Sequence, residues 1–296
     1  DALLLDEVRN ILNRHGKPFT MLKIDDINSL GSLKLRVRSL IESLRLRPAK
    51  RVEMPYVTTK VFSTSDVHKK ILAPHISSFL TPLLPPIFKM MGYDLEVLPP
   101  SDGVSSDIGL EYSNNEVCYP ATLIVGDIIK ALKSGKYDLD NVVVAMSQTG
   151  GQCRATNYLS IIKRAMVNAG FENVPVLAVG VCGKDTINEQ GGFSIDWKKI
   201  FPIALAVMLF SDTISKFYYA SKVRETEKGI SMKLRDKYLE TAYGEIANNN
   251  PKGLLRIISS AAKEFNGIVN ARILPKVGIV GEIFLKFNSY AHQDIA

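Results

Sequence analysis

Apolar residues recur along this chain first at helical and then at strand spacing, and the changes of period set an order of elements. Leu3, Leu4, Val8, Ile11 and Leu12 predict a helix over residues 2–14 that ends at His15-Gly16. Pro18 to Ile24 predicts a strand, and Leu33, Val37, Leu40, Ile41 and Leu44 predict a second helix with its basic side in water. Pro48 to Met54 has the composition of a linker. From Val57 onward strand and helix signals alternate, the order of an α/β fold with a mostly parallel sheet and flanking helices. The strands fall at Lys70–Ala73, Asp94–Leu98, Val142–Met146 and Val174–Val179, and the helices near Phe79–Met91, Ser106–Tyr112, Pro120–Lys133 and Ala155–Ala169. Pro82, Pro85 and Pro86 require the first of these helices to be kinked or to start at about Pro86.

Beyond Gly191-Gly192 the pattern turns helical, with candidates at Trp197–Lys228, Lys233–Asn248 and Gly253–Phe265. Lys276 to Gly281 then predicts a further buried strand. Four pieces follow. Residues 1–50 form a helix–strand–helix piece of an adjoining α/β unit, and 51–192 an α/β domain carrying the cysteines. Residues 193–270 form a helical segment, and 271–296 start a further α/β unit or pair with the N-terminal piece.

The stretch most informative about chemistry runs from Asn141 to Asn157. A buried strand breaks at Gly150-Gly151 and restarts as a helix, with Cys153 at the break. A sulfur there lies beside the unpaired N–H groups of a helix N-terminus, where a thiolate is stabilised and can ligate metal. Asn115-Glu-Val-Cys-Tyr-Pro120 repeats the arrangement, because Pro120 suits the first helical position and places Cys118 just ahead of it. Cys182 follows the strand Val174–Val179 and emerges on the same edge. Three sulfurs can then converge on one cavity without any short-range motif, and the alternative for each is a small buried apolar side chain. Gln152 and Arg154 flank Cys153, placed to hydrogen-bond a cluster's sulfides or an anionic ligand, or to lie plainly on a helix surface.

Composition narrows the classes. With 296 residues and 46% hydrophobic content, the chain can bury two cores. Three cysteines and no Cys-x-x-Cys pair argue against a disulfide framework and exclude zinc-ribbon, zinc-finger and ferredoxin spacings. The net charge of +7 draws on Lys34, Arg36, Arg38, Arg45, Arg47, Lys50 and Arg51, which predict a solvated helix face or a phosphate-bearing partner. Aromatic residues are absent from Ser32 to Glu53, so nucleic acid is not an expected partner. The longest apolar run, Ile200 to Phe210, contains Pro202 and is too short for a bilayer, so a cytoplasmic location without membrane contact is expected. Asp1 is not preceded by a leader, which suggests that the chain starts inside a longer polypeptide. No Gly-x-Ser-x-Gly elbow or P-loop is present, and none of the four histidines is paired with a carboxylate or cysteine at metal spacing.

Asn115-Glu-Val-Cys-Tyr-Pro-Ala121, Gly126-Asp127, Gln148-Thr-Gly-Gly-Gln-Cys-Arg154 with Asn157-Tyr158, and Val277-Gly-Ile-Val-Gly-Glu282 together resemble the 2-hydroxyacyl-CoA dehydratase and benzoyl-CoA reductase superfamily. The chain looks most like the dehydratase-like region of the large CoA-substrate-specific enzyme activases, over about Phe19 to Asn288. The resemblance implies truncated Rossmann-like domains and an iron–sulfur protein of anaerobic metabolism. It also implies a cysteine-held 4Fe–4S cluster that takes one electron from an ATP-dependent activator and passes it to an acyl-CoA thioester. Cys118 and Cys153 match family cluster ligands. The expected surroundings of the cluster are Pro120, Gly150, Gly151, Gln152 and Arg154; Cys182, which matches no family motif, is expected as the third sulfur from its place after the strand Val174–Val179 alone. Expected partners are the activator, on the same polypeptide or separate, an acyl-CoA substrate, and a second subunit in a homo- or hetero-dimer. The alternative is a non-catalytic α/β interaction domain with structural cysteines and a docking helix at Leu33–Leu46.

Overall fold

In the computed structural model the described residues are 2–22, 30–46, 57–114, 117–148, 157–180, 190–275, 278 and 280–293. They divide into two compact units, Asp1–Thr58 with Asn114–Val117, and Thr59–Ser113 with Cys118–Ala296.

The first unit contains helices α1 (Ala2–Arg14) and α2 (Leu30–Arg45). The strand expected at Pro18–Ile24 is not found, for residues 17–22 have no regular structure and the remainder lies outside the described residues. A β-rich run needs a partner strand to satisfy its backbone. Here the Met21 carbonyl instead accepts from the Arg36 guanidinium at 2.9 Å, and the Arg9 guanidinium sits 6.0 Å from the centre of the Phe19 ring. Helix α2 forms where its apolar spacing predicts, yet none of its residues is buried.

The second unit is built on a four-stranded, all-parallel sheet flanked by helices. Its strands are β1 (Lys70–Ala73), β2 (Asp94–Val97), β3 (Val142–Gln148) and β4 (Val176–Gly180), in the order β2-β1-β3-β4. Helix α3 (Leu84–Met90) joins β1 to β2. Helices α4 (Gly103–Tyr112) and α5 (Tyr119–Lys133) join β2 to β3, and α6 (Tyr158–Asn168) joins β3 to β4. The chain therefore leaves β1 to one side and returns on the other, so the strand order reverses between β1 and β3. Val142 to Met146 are all buried, as expected of a parallel strand covered on both faces. Ile71, Leu95, Val143, Ala145 and Leu177 share a core with Leu84 and Phe88 of α3, while α6 packs on β3 and α5 lies against α4 and α6. The prolines act as expected: Pro82 sits in a 3-10 turn, and Pro85 and Pro86 occupy the first turn of α3, where no N–H is needed.

The outer edge of β4 is closed by two different groups. Val176 donates its N–H to the Lys60 carbonyl at 3.2 Å. At Ala178 the Gln190 side-chain amide does the work of a strand, accepting from the N–H at 2.9 Å and donating to the carbonyl at 2.7 Å.

Three long helices, α7 (Trp197–Lys222), α8 (Ile230–Ala247) and α9 (Pro251–Gly267), make a second core with α3 around Phe210, Ile214, Ala242, Leu254 and Ala261, all fully buried. Asp196 and Asn250 cap α7 and α9 through side-chain bonds to the N–H groups of Lys199 and Gly253. Helix α7 stops at Lys222 rather than Lys228, because the Glu225 carboxylate turns back to accept from Gly229 and Ser231 and so opens α8 three residues earlier than its apolar pattern predicts. At 26 residues α7 is long and apolar enough to cross a bilayer by length and composition alone, and one of its faces is buried against α8 and α9. The strand expected at Lys276–Gly281 is not formed at the described positions 278, 280 and 281. Val280 is 92% exposed, and a short helix α10 (Ile283–Phe287) follows.

Candidate metal centre

Helix α5 is the element that positions the one cysteine among the described residues. Twelve of its fifteen residues are buried, from Pro120 to Leu132, so its long axis is fixed by packing on all sides. It reaches α4 through two glycines. A Cβ on Gly109 would overlap the Thr122 carbonyl, and one on Gly126 would overlap the Ser105 carbonyl, so only glycine permits the backbones to lie this close. This accounts for glycine in the Gly126-Asp127 pair.

The close approach brings polar groups into the interface. Asp127, 1% exposed, accepts from the Ser101 hydroxyl at 2.7 Å, and Ser101 in turn accepts from the Asn288 side chain at 3.0 Å. Burial pushes the Asp127 carboxyl above its ordinary range, against the opposing pull of Ser105, Ser101 and Lys130. Its second oxygen, Oδ1, has no partner of regular hydrogen-bond geometry among the described residues. Lys130 binds Asp102 at 2.9 Å and Ser105 at 2.6 Å, and with the Ser105 N–H holds the Asp102 carboxyl down at about 2. The sequence offers one signal for this network: a carboxylate inside an otherwise apolar helical run.

Cys118 is the N-cap residue of α5, in extended conformation, and its carbonyl accepts from Ala121 at 2.9 Å and Thr122 at 3.3 Å. The helix starts at Tyr119, one residue before the expected first position, so Pro120 is the second helical residue. Its missing N–H still belongs to the set that no helix satisfies internally. The Cys118 thiol is free and half-buried, and its Sγ lies 3.4 Å from the hydroxyl of Tyr158, the first residue of α6. The N-cap residue of α5 and the first residue of α6 thus touch through their side chains. Tyr158 as its partner was not foreseen from residue spacing, since the two residues are forty positions apart.

Gly150, Gly151, Gln152, Cys153 and Arg154 lie outside the described residues, as does Cys182. The strands that lead to them end side by side, with Gln148 of β3 in register with Gly180 of β4. Among the described residues no group of three His, Cys, Asp or Glu side chains is placed to hold a metal ion. What the described residues offer such a group is one thiol, at a helix N-terminus whose N–H groups complement negative charge, with a hydroxyl within hydrogen-bond distance of the sulfur that can donate to it once it is a thiolate. That donor chemistry fits one ligand of an iron–sulfur cluster.

His75 stands at the C-terminal end of β1, beside the reversal of strand order. It is 8% exposed, burial lowers its pKa, and its Nε2 is 3.4 Å from the Ser78 hydroxyl. The class that fold and site define is an α/β protein with a parallel four-stranded sheet and a cysteine at a helix N-terminus beside the sheet. Comparison with family models, with curated proteins and with solved structures gave no match to this chain.

Proposed function

We propose that this chain is an iron–sulfur redox module of truncated Rossmann-like architecture. In this reading it takes electrons from an ATP-dependent activator and acts on an acyl-CoA-type substrate. The observation that carries it is the contact of the Cys118 sulfur, at the N-cap of α5, with the hydroxyl of Tyr158, the first residue of α6. In sequence, Cys153 lies five positions after Gln148 and five before Tyr158, and Cys182 lies two after Gly180. The described ends of β3, β4, α5 and α6 therefore lead to all three cysteines, which are the ligands assigned. The order β2-β1-β3-β4, reversing between β1 and β3, supports the architecture, because α/β proteins place ligands outside the carboxyl ends of strands at such a reversal.

When bound, a 4Fe–4S cluster supplies one-electron transfer. The chain's own residues do the rest. Cys118 holds iron, the first-turn N–H groups of α5 offset negative charge, and the Tyr158 hydroxyl donates to the Cys118 sulfur and tunes the potential. Protein reconstituted anaerobically with iron and sulfide is expected to show a broad visible charge-transfer band that disappears in Cys118→Ser. Full iron loading of the Cys118→Ser, Cys153→Ser double variant would overturn the proposal.

A second reading, an interaction domain with structural cysteines, is supported by helix α2, whose apolar residues Val37, Ile41 and Leu44 are all exposed. It predicts colourless protein after the same reconstitution and partner capture that weakens on charge reversal at Arg36, Arg38 and Arg45.

A further inference from the structure

The inner face of α7 is packed, yet its outer face is apolar as well. Trp197, Phe201, Leu205, Met208 and Leu209 are each between 46% and 61% exposed and fall on one side of the helix over three turns. At roughly 200 Å² for a full side chain of this size they present about 500 Å², close to the largest apolar patch a monomer carries. The stripe is bounded by opposite charges: the exposed Lys198 at its start and Asp212 at its end. From Lys198 the spacing runs three, four, three, four through Phe201, Leu205 and Met208 to Asp212, which is the spacing of a helix-pairing seam.

We propose that this face pairs with the same face of a second copy, antiparallel, about a two-fold axis through Leu205. Leu205 lies seven residues from each charge, so the axis sets Lys198 of one copy against Asp212 of the other, twice, and brings Phe201 against Leu209. Asp212 already holds Lys216 of its own helix at 2.8 Å and remains 62% exposed, so a second cation can reach it. An anionic lipid surface is the poorer occupant, since Asp212 lies in line with the stripe and would be repelled. Two such patches bury about 1,000 Å², the low end for a specific interface.

Sedimentation velocity of the chain across a concentration series tests this. A monomer–dimer equilibrium is expected, and Leu205→Glu raises its dissociation constant at least about tenfold with an unchanged circular dichroism spectrum. Lys198→Glu alone and Asp212→Lys alone each weaken the dimer, and combining them restores it, a result only the antiparallel register gives. A monomer at about 100 µM, a dimer indifferent to Leu205→Glu, or single reversals that add rather than cancel would each overturn the proposal. So would a monomer that floats with anionic phospholipid vesicles, which would assign the stripe to a membrane.

Discussion

Two glycine-to-alanine substitutions in helices should move stability in opposite directions, and the sign is the test. Alanine is favoured over glycine inside a helix by about 1 kcal/mol. At Gly244 of α8 nothing lies within 4 Å of an added Cβ, so Gly244→Ala should keep that gain. With about 2–4 °C per kcal/mol for domains of some 150–250 residues, its melting temperature should rise by about that amount. At Gly126 of α5 the added methyl meets the Ser105 carbonyl of α4, and a backbone atom cannot rotate aside as a side chain can. Separating α4 from α5 would break a fully buried contact, and because the overlapped atom is backbone the cost falls in the upper part of the overpacking range, about 2–3 kcal/mol. The propensity gain offsets only part of this, leaving a net loss of about 1–2 kcal/mol and a melting temperature lower by about 2–8 °C. Urea denaturation followed by far-ultraviolet circular dichroism should show a lower midpoint at an unchanged slope. If Gly126→Ala instead stabilises the protein as Gly244→Ala does, the two helices do not approach as described.

Other substitutions probe charge, packing and the sulfur. Burial raises the Asp127 pKa, so its contribution is full below the unfolded value of 3.8 and is lost as pH rises through the folded value; the stability of Asp127→Asn relative to wild type should therefore climb as pH rises above 3.8, and a flat difference would contradict the buried carboxyl. Asp66 is the opposite case. Burial alone would raise its pKa, but bonds from Lys69, Ser63 and Lys60 hold it at about 2, so Asp66→Asn should cost about 2 kcal/mol at neutral pH, with the gap closing as pH falls from about 4 toward 2. Phe210→Ala removes a fully buried ring from the helical core and should cost about 3–5 kcal/mol by thermal or urea denaturation. Tyr158→Phe should shift the reduction potential of reconstituted protein while leaving its iron content unchanged; an unchanged potential would mean that the hydroxyl does not donate to the Cys118 sulfur.

The sheet was legible because each of its strands carries its own signal. Val142 to Met146 is apolar throughout, and only a strand covered on both faces needs that, so its position could be read without knowing its neighbours. The runs Pro18–Ile24 and Lys276–Gly281 carry a similar local signal, yet their described residues form no strand, because β-propensity reports a fit to neighbours rather than an intrinsic backbone preference. Strand order was not legible, since register depends on contacts far apart in sequence. At the candidate site, the helix start beside Cys118 was written locally in Tyr119-Pro120. Its contact with Tyr158 arises only when two crossovers pack together.

The side-chain amide of Gln190 on Ala178 bears on how this protein fails as well as how it folds. A bare outer strand is a template for strand addition from another molecule, the first step toward fibrous aggregates. One glutamine, held in place by its own chain, occupies the donor and acceptor that an incoming strand would use. Protection of this flank against strand addition therefore rests on two groups outside the sheet, the Lys60 carbonyl at Val176 and the Gln190 side chain at Ala178, and loss of the glutamine would open its outer half while the four strands stayed intact.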